Sequence, residues 1–492
     1  MTIPHELAKL PRCRADAAAS TVMEWGHGDA MRIAGLPEDL PPDWQHQALA
    51  KLHELACTRR SYRVFLDTCV KCGACAEKCP YFIATGDPLN MPVARAELVR
   101  RVYRRYFTLR GRILGSWSDA EELTPHMLVK WFTYFHQCSE CRRCARACPL
   151  GIDTAEITML AREVLASCGV ASRAIVETVA RAHNTGNHLG ISPEEWAVRN
   201  SALEREIRVR TGIEVKLPVD REGAEVLLLV PAADLVANVD TMVGYAVVFH
   251  HLGISWTTSS TCGDATNYGL FLDAANLRGI NARVLDTARK LRVKVLMWGE
   301  SGHGWRAGRL TSHLQAKGRT NPMSFLEIPY PYHVLQFAAA MIAKGALKVD
   351  KTANGEYAAT IHDPCNLARV PPAEMTHAIR EVVRYSCHDV REMPASITMA
   401  NTICCGGGGG LLAPENRTLR MAAARPRAMA VARNGANFVA APCEICKEQL
   451  TQAMGYWKTP AVLGGVMELL GRAVLGARGI EPFRLGSWSP LT

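Results

Sequence analysis

The sequence predicts an α+β, multidomain protein: a helical, cysteine-rich N-terminal part, then two Rossmann-like α/β halves, the first of them degenerate. Three observations predict it. Two four-cysteine runs lie among helical stretches between residues 69 and 149. From Glu225 the apolar period shifts to short strand-like runs separated by helical ones, which argues βαβ units. Five further cysteines follow strand-like runs near the C-terminus. The expected divisions are a helical N-terminal lead-in (1–62), a helical domain holding the two runs (63–170), a helical linker (171–222), the degenerate half (223–330), the intact half (331–470) and a C-terminal tail (471–492).

Composition bounds the possibilities. With 492 residues, 48% of them apolar, the chain can bury several cores and is globular. No apolar run reaches the length of a spanning helix; the best candidate, HVLQFAAAMIAKGALKV, is short and carries lysines. The N-terminus shows neither an apolar leader nor a twin-arginine pair, so a cytoplasmic protein is expected. Eighteen cysteines in such a chain imply metal rather than disulfides. Thirteen fall into motifs, leaving Cys13, Cys57, Cys168, Cys262 and Cys387. The net charge of +10 comes without a basic patch interleaved with stacking aromatics, which excludes a nucleic-acid reading.

In the lead-in, Leu49, Leu52, Leu55 and Ala56 recur at helical spacing, and Trp25 and Trp44 read as packing residues. Next come Cys69-x2-Cys72-x2-Cys75-x3-Cys79-Pro80 and Cys138-x2-Cys141-x2-Cys144-x3-Cys148-Pro149, both of the bacterial ferredoxin type. Three thiolates a turn apart wrap one face of a cube while the fourth is set further off. In two-cluster ferredoxins that fourth cysteine serves the other cluster. One cubane [4Fe-4S] cluster is therefore expected on Cys69, Cys72, Cys75 and Cys148, and a second on Cys138, Cys141, Cys144 and Cys79. The proline after each fourth cysteine is expected to stop helix from running through the site.

Between the motifs, Leu98, Val102, Tyr106 and Leu109 predict one buried helix face. Arg95, Arg100, Arg101, Arg104, Arg105, Arg110 and Arg112 crowd the same stretch, as a solvated face or as a surface for an acidic partner or anionic headgroups. Asp153 to Glu156 reads as the cap of the helix through Ile157, Leu160, Val164 and Leu165.

Beyond Glu225, VLLLV, ISWTTSS and VKVLMW read as strands of the first half. In the second half ATIHDPC, SITMANTICC and ANFVAAPC each read as a strand that delivers cysteines to one sheet edge: Cys365, then Cys404 and Cys405, then Cys443 and Cys446. Five thiols exceed a tetrahedral zinc site and suit an iron–sulfur centre. Gly406 to Gly410 would let the backbone lie close to that inorganic core, with Gly406 and Gly407 as cofactor-binding positions. The first half reads as a decayed copy. Laying Cys262-Gly263 on Cys405-Gly406 without gaps puts Thr261 at Cys404, Glu300 at Cys443 and His303 at Cys446; a short insertion sets Pro231-Ala232 against Pro364-Cys365. That half is expected to bind no cluster. Cys262, Glu300 and His303 become candidates for a redox thiol and a proton donor, His303 as an exposed side chain among glycines.

The spacing of Cys365, Cys404-Cys405-Gly406 and Cys443-x-x-Cys446 resembles the cysteine-rich CCG domain of heterodisulfide reductase catalytic subunits. The long helical connection between the ferredoxin motifs resembles the helical ferredoxin domain of fumarate-reductase-type iron–sulfur proteins. The whole order, over roughly residues 60 to 460, resembles the heterodisulfide reductase D-like proteins, and among these most the DsrK subunits of the sulfite-reductase-associated membrane complex DsrMKJOP. The resemblance implies a further, non-cubane [4Fe-4S] cluster on the five cysteines, with disulfide chemistry at Cys404 and Cys405. It also implies a membrane partner with b-type haem and quinone access among the subunits of a multiprotein complex, and a small DsrC-like sulfur-carrier protein as substrate. Peripheral attachment to the inner face of the cytoplasmic membrane follows, with a place in dissimilatory sulfur metabolism. CCG proteins also serve as iron–sulfur subunits of lactate, glycolate and glycerol-3-phosphate oxidation systems, which is the alternative function. A non-catalytic electron-transfer scaffold is the third.

Overall fold

A computed structural model describes residues 28–316, 331–370 and 374–486. Cys13 and Trp25 lie outside them. The chain forms two compact units. Of the described residues, the first gathers those up to Ala180 with Tyr268–Asn276 and Ile403–Pro426; the second holds the described residues of Arg181–Asn267, Leu277–Thr402 and those from Arg427 on.

In the first unit, helices Trp44–Thr58, Arg60–Asp67, Pro92–Phe107, Pro125–His136 and Thr154–Ser167 share one core, built on Leu52, Leu55, Val99, Val102, Trp131, Phe132 and Leu160. Local chemistry sets their ends. Pro92 and Pro125 stand in first turns, where a missing N–H costs nothing, and the Asp153 carboxylate accepts the Ala155 amide at 2.9 Å. Two expectations are corrected. The lead-in is no separate domain, because Leu52 and Leu55 pack into this core and a helix crosses residue 62. Leu109 leaves the buried face at 76% exposure, since the helix stops at Phe107 and Thr108 caps a new one, Leu109–Leu114. The arginines are largely used inside the fold: Arg95 and Arg100 are buried on backbone carbonyls, while Arg104 pairs with Glu97 at 2.6 Å and Arg105 with Glu122 at 2.8 Å.

The second unit contains two four-stranded parallel sheets. The first sheet has β1 (Val226–Leu229), β2 (Trp256–Thr257), β3 (Val295–Trp298) and β4 (Pro331–His333) in the order β2-β1-β3-β4. The second has β5 (Ala358–Ile361), β6 (Asp389–Val390), β7 (Phe438–Ala440) and β8 (Val462–Gly464) in the order β6-β5-β7-β8. Position by position the two orders are the same, and Leu229 stands beside Trp298 as Ile361 stands beside Ala440. All strands are parallel, so each must be followed by a crossover, and the buried runs of Val, Leu and Ile reflect sheets covered on both faces.

Three sequence boundaries shift. β4 belongs to the first sheet, so the first half continues past residue 330. SITMANTICC forms no strand; two 3-10 turns, Ala395–Ile397 and Met399–Asn401, occupy it. The supposed tail begins inside the helix Val466–Gly476.

The halves pair crosswise. The helix after β1 (Val239–Leu252) packs on the helix after β8 (Val466–Gly476), and the helix after β4 (Val334–Ala343) packs on the helix after β5 (Met375–Ser386). Equivalent helices thus exchange partners, as an isologous interface requires. Gly244 and Gly471 mark the first crossing: a Cβ at Gly244 would stand 2.3 Å from the Met467 carbonyl oxygen, inside van der Waals contact. Among the described residues no helix is long and apolar enough to cross a membrane.

Candidate functional site

The two ferredoxin-type motifs fold alike. Lys71 and Gly73 take positive φ after Cys69, and Glu140 and Arg142 do so at the same offsets after Cys138. The alternation curls each loop so that its thiols face one point. Cys69, Cys72, Cys75 and Cys148 line one cavity, with Cys72 exposed. Cys79 is set among the thiols of the other motif: burial pushes it up, and Cys138 and Cys141 act on it electrostatically. The buried Arg95 guanidinium serves the same group, its own pKa raised by Cys138, Cys79 and Cys144 against the opposing effect of burial. The donor set is therefore four thiols beside a fixed positive charge, which suits an anionic iron–sulfur cube. No helix runs through the site at Pro80: Cys79 is extended, and the helix Pro80–Thr85 begins only at the proline, with Cys79 as N-cap.

Three of the five C-terminal thiols stand just beyond the ends of two neighbouring strands of the second sheet, β5 and β7. Cys365 opens the short helix Cys365–Ala368 after β5, Cys443 caps the helix Glu444–Tyr456 after β7, and Cys446 lies inside its first turn. All three are buried. The Cys443 thiol is lowered to about 6, first by the hydrogen bond from Cys446, with the amides of Cys446, Gly302 and His303 adding to it against burial. Cys443 thus faces two helix N-termini, its own and that of Gly302–Ala316 from the first half. A thiol ionised near neutrality fits a metal ligand.

The adjacent pair Cys404–Cys405 is delivered by Thr402. Its hydroxyl donates to the Asp363 carbonyl at 2.9 Å and accepts from the Arg427 guanidinium at 2.9 Å; Arg369 donates to its carbonyl. Two residues of chain then limit Cys404 to about 7 Å from that anchor. The Gly406 amide donates to the Cys404 sulfur and the Gly407 amide to the Cys405 sulfur, each at 3.4 Å. The later glycines serve another contact. A Cβ at Gly409 would meet the Cys138 carbonyl oxygen at 2.3 Å, and one at Gly410 would meet Ile175 at 2.6 Å. Tyr81 donates to the Gly406 carbonyl at 3.0 Å, and Arg162 donates to the carbonyls of Gly409 at 3.0 Å and Cys138 at 2.9 Å. Within the first unit, the glycine run is therefore fastened directly to the second four-cysteine loop.

Sequence reasoning missed His362, the residue after β5 in IHDPC. It is fully buried, neither ring nitrogen has a hydrogen-bond partner among the described residues, and its ligating nitrogen lies within 4.8 Å of the Cys446 sulfur. The signal was its place at a strand end, three residues before a cysteine.

The candidates from the first half come out differently. His303 is 1% exposed, against the expectation; its Nε2 meets the Asn267 carbonyl at 2.6 Å, and burial lowers it to about 3. Burial pushes the Cys262 thiol up to about 11. Glu300 is fully buried, accepts the Val466 and Met467 amides at 2.8 and 2.6 Å and sits 3.8 Å from the Lys447 ammonium; burial raises it to about 7. The gapless alignment is off by one residue. Matching Trp298 with Ala440 by strand register sets Ser301, not Glu300, at Cys443, and each is the residue immediately before its helix. Of the remaining thiols, Cys57 is exposed and Cys168 and Cys387 are buried.

Comparison with known proteins finds two matching domains and several similar chains. A 4Fe-4S dicluster domain matches residues 65–152, and a cysteine-rich CCG domain matches residues 359–451. The chain is 37% identical over 481 residues to the Hdr-like menaquinol oxidoreductase iron–sulfur subunit 2 of Archaeoglobus fulgidus, covering 90% of this chain and 86% of that protein. It is 25% identical to a subunit of the dihydromethanophenazine:CoB–CoM heterodisulfide reductase of Methanosarcina barkeri, over 83% of this chain and 94% of that one. An EtfAB:quinone oxidoreductase of Syntrophomonas wolfei is 24% identical over 70% of this chain and 48% of its own length.

Proposed function

The chain belongs to the family of Hdr-like iron–sulfur oxidoreductase subunits, and from that premise we propose that it couples electron transfer with a membrane quinone to thiol–disulfide chemistry at its C-terminal cysteines. Cys69, Cys72, Cys75 and Cys148 would hold one cubane; Cys138, Cys141, Cys144 and Cys79 a second; Cys365, Cys404, Cys405, Cys443 and Cys446 a third, non-cubane [4Fe-4S] centre. Bound there, the clusters supply one-electron transfer along the ferredoxin pair and an iron–sulfur surface for a substrate sulfur at the end.

The observation that carries this reading is the fastening of the Cys404–Cys405 loop to the second four-cysteine loop by Gly409, Tyr81 and Arg162. It joins the relay to its terminus through packed backbone. The chain's own residues then have defined tasks. The Gly406 and Gly407 amides hold the paired sulfurs, the Gly302 and His303 amides hold Cys443 as thiolate, and the buried surroundings exclude water. Of the three first-half candidates, Glu300, raised to about 7, is the one that can both hold and release a proton near neutral pH, which protonation of a leaving thiolate requires.

The substrate we favour is a disulfide or trisulfide of a small DsrC-like sulfur carrier in dissimilatory sulfur metabolism. The membrane partner is a b-haem subunit with quinone access, and the chain attaches through it to the inner face of the cytoplasmic membrane. The likeness to an EtfAB:quinone oxidoreductase supports a second reading, an electron-transfer subunit of a lactate-, glycolate- or glycerol-3-phosphate-type dehydrogenase.

Electron paramagnetic resonance of the oxidised anaerobic protein decides between them. A terminal signal that changes with added thiol or carrier supports disulfide chemistry; indifference to every thiol offered favours the second reading. Cys405→Ser should abolish disulfide turnover while leaving both ferredoxin signals intact.

A further inference from the structure

His362 is a buried polar group without a hydrogen-bond partner among the described residues. Its backbone amide donates to the Ala440 carbonyl at 3.0 Å, which fixes the residue at the C-terminal edge of β5, beside the end of β7. Its side chain is wholly inside, and neither Nδ1 nor Nε2 reaches a hydrogen-bonding atom among the described residues. A neutral imidazole has one N–H to give and one lone pair to satisfy. Buried side-chain polar atoms in folded proteins almost always find a partner, and an orphan of this kind points to something bound. The neighbour within reach is the Cys446 sulfur, with a ring nitrogen within 4.8 Å of it.

We propose that His362 is a sixth protein group of the terminal centre, its ring N–H donating to a sulfur of the cluster held by the five cysteines. This rests on the cluster assignment above, though not on the disulfide reaction. The proposal gives the ring its missing partner and makes it a positioning residue rather than an iron ligand. A donor aimed at cluster sulfur favours the more reduced, more negative state, so His362 would raise the potential of the terminal centre.

The test is pulsed electron resonance on protein grown with 15N-histidine, in the absence of substrate. A weak 15N coupling on the terminal signal, lost in His362→Gln, is expected. Against a dye of fixed potential, His362→Phe should shift the redox equilibrium of this centre toward oxidised by roughly tenfold, the loss of one charge-assisted hydrogen bond. His362→Gln, whose amide can still donate, should recover part of that shift. Unlabelled-like spectra from the labelled protein, with the terminal signal present, would overturn the proposal. A strong coupling typical of nitrogen bound to iron would overturn it too, in favour of ligation. Failure of the disulfide reaction alone would show as a thiol-insensitive signal that keeps its histidine coupling.

Discussion

The two halves of the second unit have the same strand order and the same register, and only the later one carries cysteines beyond the ends of its strands, Cys365 after β5 and Cys443 and Cys446 after β7. The comparison separates what builds the fold from what builds the site. Both sheets are held by buried aliphatic strands and by the crosswise helix pairs, to which no site cysteine contributes, so the thiols could be lost without losing the half. What the decayed half retains is its helix N-terminus. Ser301 stands where Cys443 stands in the other half, and the Gly302 and His303 amides after it are directed at Cys443 itself. It offers no thiol at that place, and its amides support the thiol of the other half.

The largest contrast lies at that matched pair. Cys443→Ser should remove the terminal centre, taking iron from roughly twelve to roughly eight atoms per chain while both ferredoxin signals persist. Ser301→Ala should leave iron content unchanged. It loses the Ser301 hydroxyl's bonds to Glu444 at 3.0 Å and from the Gly304 amide at 2.9 Å, at a cost of about 1 kcal/mol in stability. Equal iron loss in both variants would show that the decayed half still binds metal.

Next comes the interface between halves. At the Gly244–Gly471 crossing a single methyl has nowhere to go, so Gly244→Ala should destabilise the second unit by about 2 kcal/mol. The other pair, Val334–Ala343 and Met375–Ser386, contains no glycine and buries Ala338, Ala339 and Ala378. Ala378→Gly there should cost less, about 1 kcal/mol, mostly in helix propensity. Anaerobic urea unfolding of the two variants compares them; a larger loss for Ala378→Gly would mean the crossings are not equivalent.

Glu300 makes the interface sensitive to pH. Its carboxyl is raised from 4.5 to about 7. A raised carboxyl makes its most favourable contribution below the unfolded value. As pH climbs from there to about 7, stability falls by about 3 kcal/mol and then levels off, because the folded state must ionise a group that the unfolded chain ionises easily. Desolvation is the main cause, partly offset by Lys447. Glu300→Gln, which can still accept the Val466 and Met467 amides, should flatten that decline. An unchanged thermal midpoint profile between pH 5 and pH 7 would remove Glu300 from the account.

Much of this was legible in the sequence where one physical cause acts alone. The ferredoxin loops were readable because thiol spacing fixes their geometry, and β1, β3, β5 and β7 because a sheet covered on both faces demands unbroken apolar runs. Legibility failed where causes compete. The stretch before Cys404 has strand-like letters, yet Thr402 and Met399 are drawn into turns by Asp363, whose carbonyl and carboxylate both accept from them. The edge strands β4 and β6 are short and carry Pro331 or Asp389, as unpaired edges tolerate, so they read as loop. His303 looked exposed because glycines flank it, but those glycines allow close packing: a Cβ at Gly304 would strike the Ala265 carbonyl oxygen at 1.9 Å. His362 gave only the faint signal of a strand end before a cysteine, and the fold alone shows that its ring nitrogens have no hydrogen-bond partner among the described residues.

The smallest expected effect is also the sharpest check on the comparison. Cys262 is the one cysteine of the five that the first half keeps in the repeat alignment, and in sequence it looked like a redox thiol. In the structure it is 4% exposed, with burial holding its pKa near 11 against the favourable charge of Arg283, so at neutral pH it stays a thiol and a weak nucleophile. Cys262→Ala should therefore keep the terminal signal, its response to thiol and its turnover, losing only about 1 kcal/mol of packing. If turnover falls while iron content and all three signals remain, the decayed half supplies a reacting sulfur after all. The division between a half that holds the site and a half that steadies it would then be wrong.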